Sequence, residues 1–325
     1  MKKILVTGGA GYIGSFIVRD LIKNYEVYVI DNLSQGHKNS LPSSVKLYEV
    51  DLKDKEKLNE IFKQNQIDAV IHMAASSAVG ESVQNPQKYY KNNIINSLNL
   101  LEAMMKNNVK NIVFSSSAAV YGEPEEMPIQ ETTKTMPTNP YGRTKLEFEK
   151  ILKDYEDAYE LNHISLRYFN AAGGAKELGE HHEPESHLIP IILQYVLGKR
   201  DELKIFGTDY NTPDGTCVRD YIHVIDLAQA HILALQSLSS GKKGIYNLGN
   251  GKGFSIKEIL KTCREVTNHP IPTQNAPRRP GDPATLIASS EKIRQELGWE
   301  PKYNLKEIIS SAWEWHKNHP KGFKN

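Results

Sequence analysis

Lys3-Ile4-Leu5-Val6-Thr7-Gly8-Gly9-Ala10-Gly11-Tyr12-Ile13-Gly14 is the stretch that decides the fold. A short apolar run ends in a glycine-rich turn, and beyond it Ile13, Ile17, Val18, Leu21 and Ile22 recur at the spacing of one helix face. Residues 27–30 then read as a second buried strand ending at Asp31. The alternation continues outward, with strands predicted at 45–50, 69–72, 112–114 and 164–166 and helices at 55–63, 86–106 and 141–161. Continuous apolar strands separated by amphipathic helices predict an α/β fold, a doubly wound parallel sheet covered on both faces.

Past Tyr168 the texture changes. Residues 171–187 and 207–217 lack periodicity, 222–238 read as a helix, and 268–285, with five prolines, read as largely extended loop. Helices are predicted from about Ser290 and Leu305, and residues 320–325 as a frayed tail. The division expected is residues 1–170 as a nucleotide-binding domain, with a return near 220–250, and 171–325 mainly as a smaller mixed α/β substrate-binding lobe.

The 325 residues carry 40 Lys and Arg against 39 Asp and Glu. That balance argues against a nucleic-acid partner, whose phosphates select a basic excess. Two cysteines, Cys217 and Cys263, are too few for a disulfide framework or a thiolate metal site. The first apolar run ends after three residues, and no stretch reaches the roughly 18 apolar residues of a membrane span. No membrane association and a cytoplasmic location are expected.

Gly8, Gly11 and Gly14, with Tyr12 and Ile13 between them, sit where a strand turns into a helix. A tight turn there brings backbone close enough for a pyrophosphate to meet the helix N-terminus. Asp31, followed by Asn32, ends the next strand. A carboxylate at that place accepts bonds from both hydroxyls of an adenosine ribose and repels a 2'-phosphate, which predicts NAD rather than NADP. Asp51 and Leu52 end the third strand and either bracket the adenine or, for Asp51, cap the helix that follows Asp54.

Ser115, Ser116 and Ser117 follow a strand at its carboxyl end, where open sheets bind ligands. Tyr141 and Lys145, four apart on a helix, share a face. A phenol is a poor base at neutral pH unless positive neighbours favour the phenolate. Ser117 as an anchor for a reacting oxygen, with Tyr141 and Lys145 as a proton relay, is the minimum apparatus for hydride transfer coupled to proton transfer.

With these residues in view the chain resembles the extended short-chain dehydrogenase/reductases of Rossmann-type fold. The runs 31–34, 114–122, 166–170 and 214–224 resemble, more narrowly, the UDP-glucose 4-epimerase family, and the likeness extends to about residue 300. The resemblance implies reversible C4 epimerisation of UDP-hexoses through a 4-keto intermediate, with transient reduction of tightly bound NAD. Dehydratases of the wider family carry an acidic pair where Ala118 and Ala119 stand here, and the related decarboxylases a Glu at Ala119. It also implies that Tyr168 and Asn92 lie near the nicotinamide, and Met73, Ala74 and Ala75 along the cofactor's path, although close packing explains the alanines equally well.

A diphosphate calls for arginine forks, and Arg219 and Arg279 are the candidates, with Asp282 accepting from ribose or sugar hydroxyls. The resemblance places Asn170 near the phosphates, Leu188 and Phe206 around the uridine, Tyr221 beside Arg219, and His187 as a further substrate contact. Three positions depart from the family's usual pattern: Ser77 stands for a Lys, Phe16 for a His, and Leu286 for the Tyr or Cys that gates N-acetyl sugars. UDP-N-acetylglucosamine or UDP-pentose epimerisation, or a non-catalytic NAD-sensing module, are the alternative readings. The resemblance implies a homodimer paired through helices 86–106 and 141–161, with Ile94, Leu98, Leu101, Met105, Leu146, Ile151 and Leu152 as apolar positions. His181, His182 and His187 with Glu183 and Glu185 are not expected to hold a metal, because a loop offers them no predictable geometry.

Overall fold

Why the strands read as unbroken apolar runs is visible at the centre of the molecule. The computed structural model describes residues 1–279 and 282–323, which leaves Pro280, Gly281 and the last two residues of the expected tail outside the described residues. Strands β1 (Lys3–Thr7), β2 (Glu26–Asp31), β3 (Lys46–Glu49), β4 (Ala69–His72), β5 (Asn111–Ser115) and β6 (Asn162–Tyr168) form a parallel sheet in the order β3-β2-β1-β4-β5-β6. Successive side chains alternate between its two faces. Ile4, Val6, Val27, Val29, Ala69, Ile71 and Val113 enter one core, and Leu5, Tyr28, Ile30, Val70, Ile112 and Phe114 the other. Helix α1 (Tyr12–Leu21) covers the first face. Helices α2 (Lys55–Asn65), α5 (Asn96–Lys106) and α6 (Pro140–Tyr159) cover the second through Leu58, Phe62, Leu101, Met104, Phe148 and Leu152. The doubly wound sheet is therefore as the sequence predicts.

The predicted helix 86–106 is interrupted. A short α3 (Val79–Gln84) precedes α4 (Pro86–Tyr90), which Asn85 caps and Pro86 opens. A π-helical turn, Lys91–Ile95, then joins α4 to α5. π turns collect at functional sites, and this one carries Asn92 and Asn93.

Beyond β6 come β7 (Asn170–Ala172), α7 (Leu188–Val196), β8 (Lys204–Phe206), β9 (Val218–His223) and α8 (Val224–Leu238). The chain continues through β10 (Gly244–Leu248), β11 (Gly253–Ser255), α9 (Ile256–Thr267), β12 (Gln274–Ala276), β13 (Thr285–Leu286), α10 (Glu291–Leu297) and α11 (Leu305–Asn318). Strand β10 pairs with β6 as the seventh strand of the large sheet, and α8 packs on the α1 face through Leu227, Ala230 and Ala234. Strand β9 is the hub of a second sheet, pairing with β7, β11 and β13. A third core gathers Ile189, Leu193, Ile259, Cys263, Ile308 and Ile309 from α7, α9 and α11.

Two expectations change here. The helix predicted from residue 222 begins at Val224, because 218–223 pair on β9 and the His223 imidazole accepts from the Ile225 N–H to cap α8. The stretch 268–285 is not all loop, since β12 and β13 find partners in β8 and β9. Among the described residues no helix is long and apolar enough to cross a membrane.

Candidate active site

The strand order reverses between β1 and β4, the point at which a doubly wound sheet opens a crevice beyond its carboxyl ends. The glycine turn lies there. Gly8 has φ +72°, and a Cβ on it would stand 2.6 Å from the Ala74 nitrogen; one on Gly14 would stand 2.2 Å from the Gly8 carbonyl oxygen. Gly11 precedes α1 in extended conformation and gives no side-chain cap. The first N–H groups of α1, on Tyr12, Ile13 and Gly14, are thus left to an outside acceptor, which is the cradle a pyrophosphate requires.

Asp31 closes the turn from the next strand. Its buried carboxylate accepts from the Ala10 N–H at 3.0 Å and the Leu33 N–H at 2.9 Å, and burial raises its pKa against those two bonds. Asn32 donates to Asp51 at 2.9 Å. Asp51 also accepts from the Lys53 N–H, whereas the cap of α2 is Asp54, so the helix-cap reading of Asp51 does not hold. The Leu52 carbonyl accepts from Asn99. Met73 donates its N–H to the Thr7 carbonyl, which seats Met73, Ala74 and Ala75 along the crevice beside Gly8.

Across the crevice β5 ends in the serine triplet. Ser117 accepts from the Ala119 N–H at 3.1 Å and opens a 3-10 turn, Ala118–Val120. Helix α6 starts hard against that turn, for a Cβ on Gly142 would stand 2.4 Å from the Ala119 carbonyl oxygen. This close approach brings Tyr141 to Ser117. Burial raises the Tyr141 pKa, and the hydrogen bond with Ser117 lowers it in part. Lys145, only 3% exposed, donates to the Ser115 carbonyl at 2.6 Å and lies 5.9 Å from the centre of the Tyr141 ring. Burial draws its pKa down to about 7, opposed by Glu149. The sequence predicts that Lys145 and an oxidised nicotinamide ring together bring the phenol down. In the structure burial raises the phenol against its Ser117 hydrogen bond, and it weakens the ammonium as well.

Around these three stand the predicted Ser115, Asn92 and Tyr168, together with residues that sequence reasoning missed. The Ser115 hydroxyl meets the Tyr168 hydroxyl at 2.5 Å. Asn92 donates to the Ser76 hydroxyl, and Asn93 bonds both to the Ser76 backbone and to Thr144 on α6. Ser116 donates to Glu149 at 2.5 Å, and Arg167 clasps the same carboxylate at 2.9 and 2.5 Å while donating to Tyr121 at 2.8 Å. Tyr121 in turn donates to Asn247 on β10. Glu149 is one helical turn beyond Lys145, a signal that spacing offered.

The predicted substrate residues lie on the elements that follow β6. Asn170, His187, Leu188 and Tyr221 line one cleft. Arg219 is ion-paired with Asp282, and the Arg279 guanidinium lies over the Phe206 ring, 4.2 Å from its centre. Leu286 stands opposite Arg219 in the β9–β13 register and packs on a cluster that includes Ala118 and Phe169, next to Ser117. Phe16 is buried core and Ser77 is exposed. Asp220, another missed residue, accepts from the Asn250, Gly251 and Ala288 N–H groups, and burial raises its pKa to about 6.

Of the predicted pairing positions, Leu101 and Leu152 face the sheet and are fully buried, because the inner face of each helix is the more apolar one. Ile94, Leu98, Met105 and Ile151 are half-buried, and Ile95 and Tyr159 are exposed.

Residues 4–249 match the NAD dependent epimerase/dehydratase family. A UDP-glucose 4-epimerase from Halalkalibacterium halodurans is 57% identical over 325 residues, covering 98% of this chain and 97% of that one. A crystal structure of a UDP-glucose 4-epimerase superposes with a TM-score of 0.97 at 51% identity over the whole of both chains. The Bifidobacterium longum enzyme of that name, solved in complex with NAD+ and UDP, superposes with a TM-score of 0.94 at 41% identity, covering 99% of this chain and 100% of that one. With its glycine cradle, its serine, tyrosine and lysine, and these likenesses over its whole length, the chain belongs to the UDP-glucose 4-epimerase family.

Proposed function

We propose that this chain interconverts UDP-galactose and UDP-glucose by inverting C4, with NAD held in the glycine cradle. The observation that carries the reading is the grouping of Ser117, Tyr141 and Lys145 beside that cradle, with the methyl groups of Ala118 and Ala119 at the places where dehydratases and decarboxylases carry acids. Methyl groups move no protons, so neither elimination nor decarboxylation finds its extra acid or base.

The residues fit the cofactor. Gly8, Gly11, Tyr12, Ile13 and Gly14 offer backbone to a pyrophosphate, and Asp31 and Asn32 face a ribose. Asp51 and Leu52 border the adenine, and Met73, Ala74, Ala75, Asn92, Ser115 and Tyr168 line the way to the nicotinamide. Bound NAD supplies a two-electron acceptor that takes a hydride from C4 and returns it. Ser117 bonds to the C4 oxygen throughout, Tyr141 takes and returns its proton, and Lys145 orients and charges the phenol's surroundings. The keto-sugar turns about its diphosphate link before the hydride returns to the other face. Asn170, His187, Leu188, Phe206, Arg219, Tyr221, Arg279, Asp282 and Leu286 hold the nucleotide sugar.

In this reading residues 1–170, with 220–250 returning, carry the cofactor and 171–325 mainly the substrate. A homodimer pairs the π turn, α5 and α6 through the half-buried and exposed Ile94, Ile95, Leu98, Met105, Ile151 and Tyr159; a monomeric mass by light scattering at micromolar concentration would refute it. Turnover is tested by supplying UDP-galactose to the purified protein and measuring UDP-glucose. Retained NAD with no turnover of any UDP-sugar would identify an NAD-sensing module instead.

A further inference from the structure

The segment 173–187 brings four ligating side chains to one point, none of which the proton relay uses. Glu180 and Glu185 are only 4% and 8% exposed, His182 is half-buried, and His187 lies at the surface. One ligating atom from each lies within 4.8 Å of those of the others. His187 Nδ1 is 2.8 Å from Glu180 and 3.1 Å from Glu185, and His182 Nδ1 is 3.3 Å from Glu180 and 3.7 Å from Glu185. His181 and Glu183, which spacing offered equally, are elsewhere: His181 stacks on His37 and pairs with Glu183.

A second observation separates this cluster from an ordinary ion-pair group. His182 Nδ1 and Glu185 Oε2 are buried, face each other, and make no hydrogen bond. Buried polar atoms without a partner are rare in folded proteins and call for an explanation. Two buried carboxylates also need two positive charges beside them. Two imidazolium rings supply those charges but leave both atoms unbonded. One divalent cation among four neutral or anionic donors supplies the same charge and gives every donor a partner.

We propose that Glu180, His182, Glu185 and His187 bind one divalent transition-metal ion. Two imidazole nitrogens and two carboxylate oxygens are a donor set suited to zinc, and four protein ligands close the coordination sphere, which marks a structural rather than a catalytic ion. Its place gives it work. Tyr12, the first residue of α1, donates to the Gly173 carbonyl at 2.7 Å, and its ring lies perpendicular to that of His182. His187 directly precedes α7 and lines the cleft with Asn170 and Tyr221. The ion fastens the loop between the cradle helix and that cleft. Ligands on a loop have no geometry that spacing can predict, which is why the sequence points away from a metal; burial of the two glutamates supplies that geometry.

The test is calorimetric titration of the chelator-treated holoenzyme with zinc at pH 7, in two buffers of different ionisation enthalpy. The expected result is one zinc per chain, bound at ~1 µM or tighter, with about two protons released as the imidazolium rings give way to the metal. Cobalt in place of zinc is expected to give the intense visible bands of a four-coordinate site. Zinc binding to His182→Gln and to Glu185→Gln should weaken by about 100-fold or more, a loss on the scale that disturbing a metal site brings. Millimolar binding, binding without proton release, or variants that bind as the parent does would each overturn the proposal. If neither variant folds, proton release and the cobalt spectrum of the parent chain decide it.

Discussion

The proposed catalytic wall and the proposed nucleotide-sugar wall of the site are built differently. On the β5–α6 wall, Ser117, Tyr141 and Lys145 come from a stretch of 29 residues, are buried, and sit on the ends of regular elements. On the β9–β13 wall, Asn170, His187, Phe206, Arg219, Arg279 and Leu286 come from scattered short strands and loops, and Arg279 is exposed. Proton and hydride transfer tolerate little displacement, so their groups ride on the rigid sheet and a helix start. Holding a nucleotide spreads over many contacts, each of modest weight. Substitutions on the first wall should therefore act on kcat, and those on the second on KM.

The largest effect expected is that of Tyr141→Phe. It keeps the ring and removes the proton relay, so kcat should fall by about 10³-fold while NAD stays bound; steady-state kinetics with cofactor absorbance reads both. Activity within about twofold of the parent would erase the contrast between the walls.

Lys145→Met comes next, with kcat reduced by about 10²-fold and a gain in stability. The Lys145 pKa is about 7 in the fold, far below that of an exposed lysine. Between those values the unfolded chain holds a proton that the folded chain has lost, so stability rises with pH through this window. Below pH 7 both forms are charged and the full cost of burying the ammonium is present. The melting temperature of the variant should accordingly exceed that of the parent by about 2–4 °C at pH 6, and the gap should narrow toward pH 10. A gap that widens with pH would contradict the assignment.

On the other wall, Arg219→Ala should raise KM by roughly 10-fold to 100-fold, the loss of one charge-assisted pair, with kcat little changed. A fall in kcat larger than the rise in KM would move Arg219 to the catalytic side. The smallest effect belongs to Leu286→Tyr. Leu286 packs beside Ala118 and Phe169, so the added ring should lower kcat/KM for UDP-N-acetylglucosamine by about 10-fold and leave UDP-galactose nearly unchanged. If the parent turns over the N-acetyl sugar and the variant does so equally well, Leu286 is not the gate.

The same division governs what can be read from the chain. Periodicity exposes the large sheet, because strands buried on both faces announce themselves as apolar runs. Glycine spacing and the four-residue step from Tyr141 to Lys145 expose the first wall, because those relations are local. The π turn at Asn92 and Asn93 leaves no periodic mark. The clasp of Arg167 on Glu149 joins β6 to α6, and nothing local in the sequence links them. Strand β9 is not among the predicted strands, and its last two residues read as helix, because its pairing partners come from residues 170–172, 253–255 and 285–286. The capping boxes Ser255 to Glu258 and Asn304 to Glu307 are available signals for α9 and α11, and of the two only α11 is among the predicted helices. The direction of the Tyr141 shift escapes sequence reasoning because burial, which spacing does not report, outweighs the hydrogen bond with Ser117.

The most direct test of the account is to incubate the purified protein, without added cofactor, with UDP-galactose in one sample and UDP-glucose in another. The anomeric protons are then followed by NMR. The account predicts that both samples reach the same mixture of the two sugars, with no net oxidised product, because the hydride taken at C4 is returned within each cycle. No conversion in either sample, or steady accumulation of a keto-sugar, would contradict it.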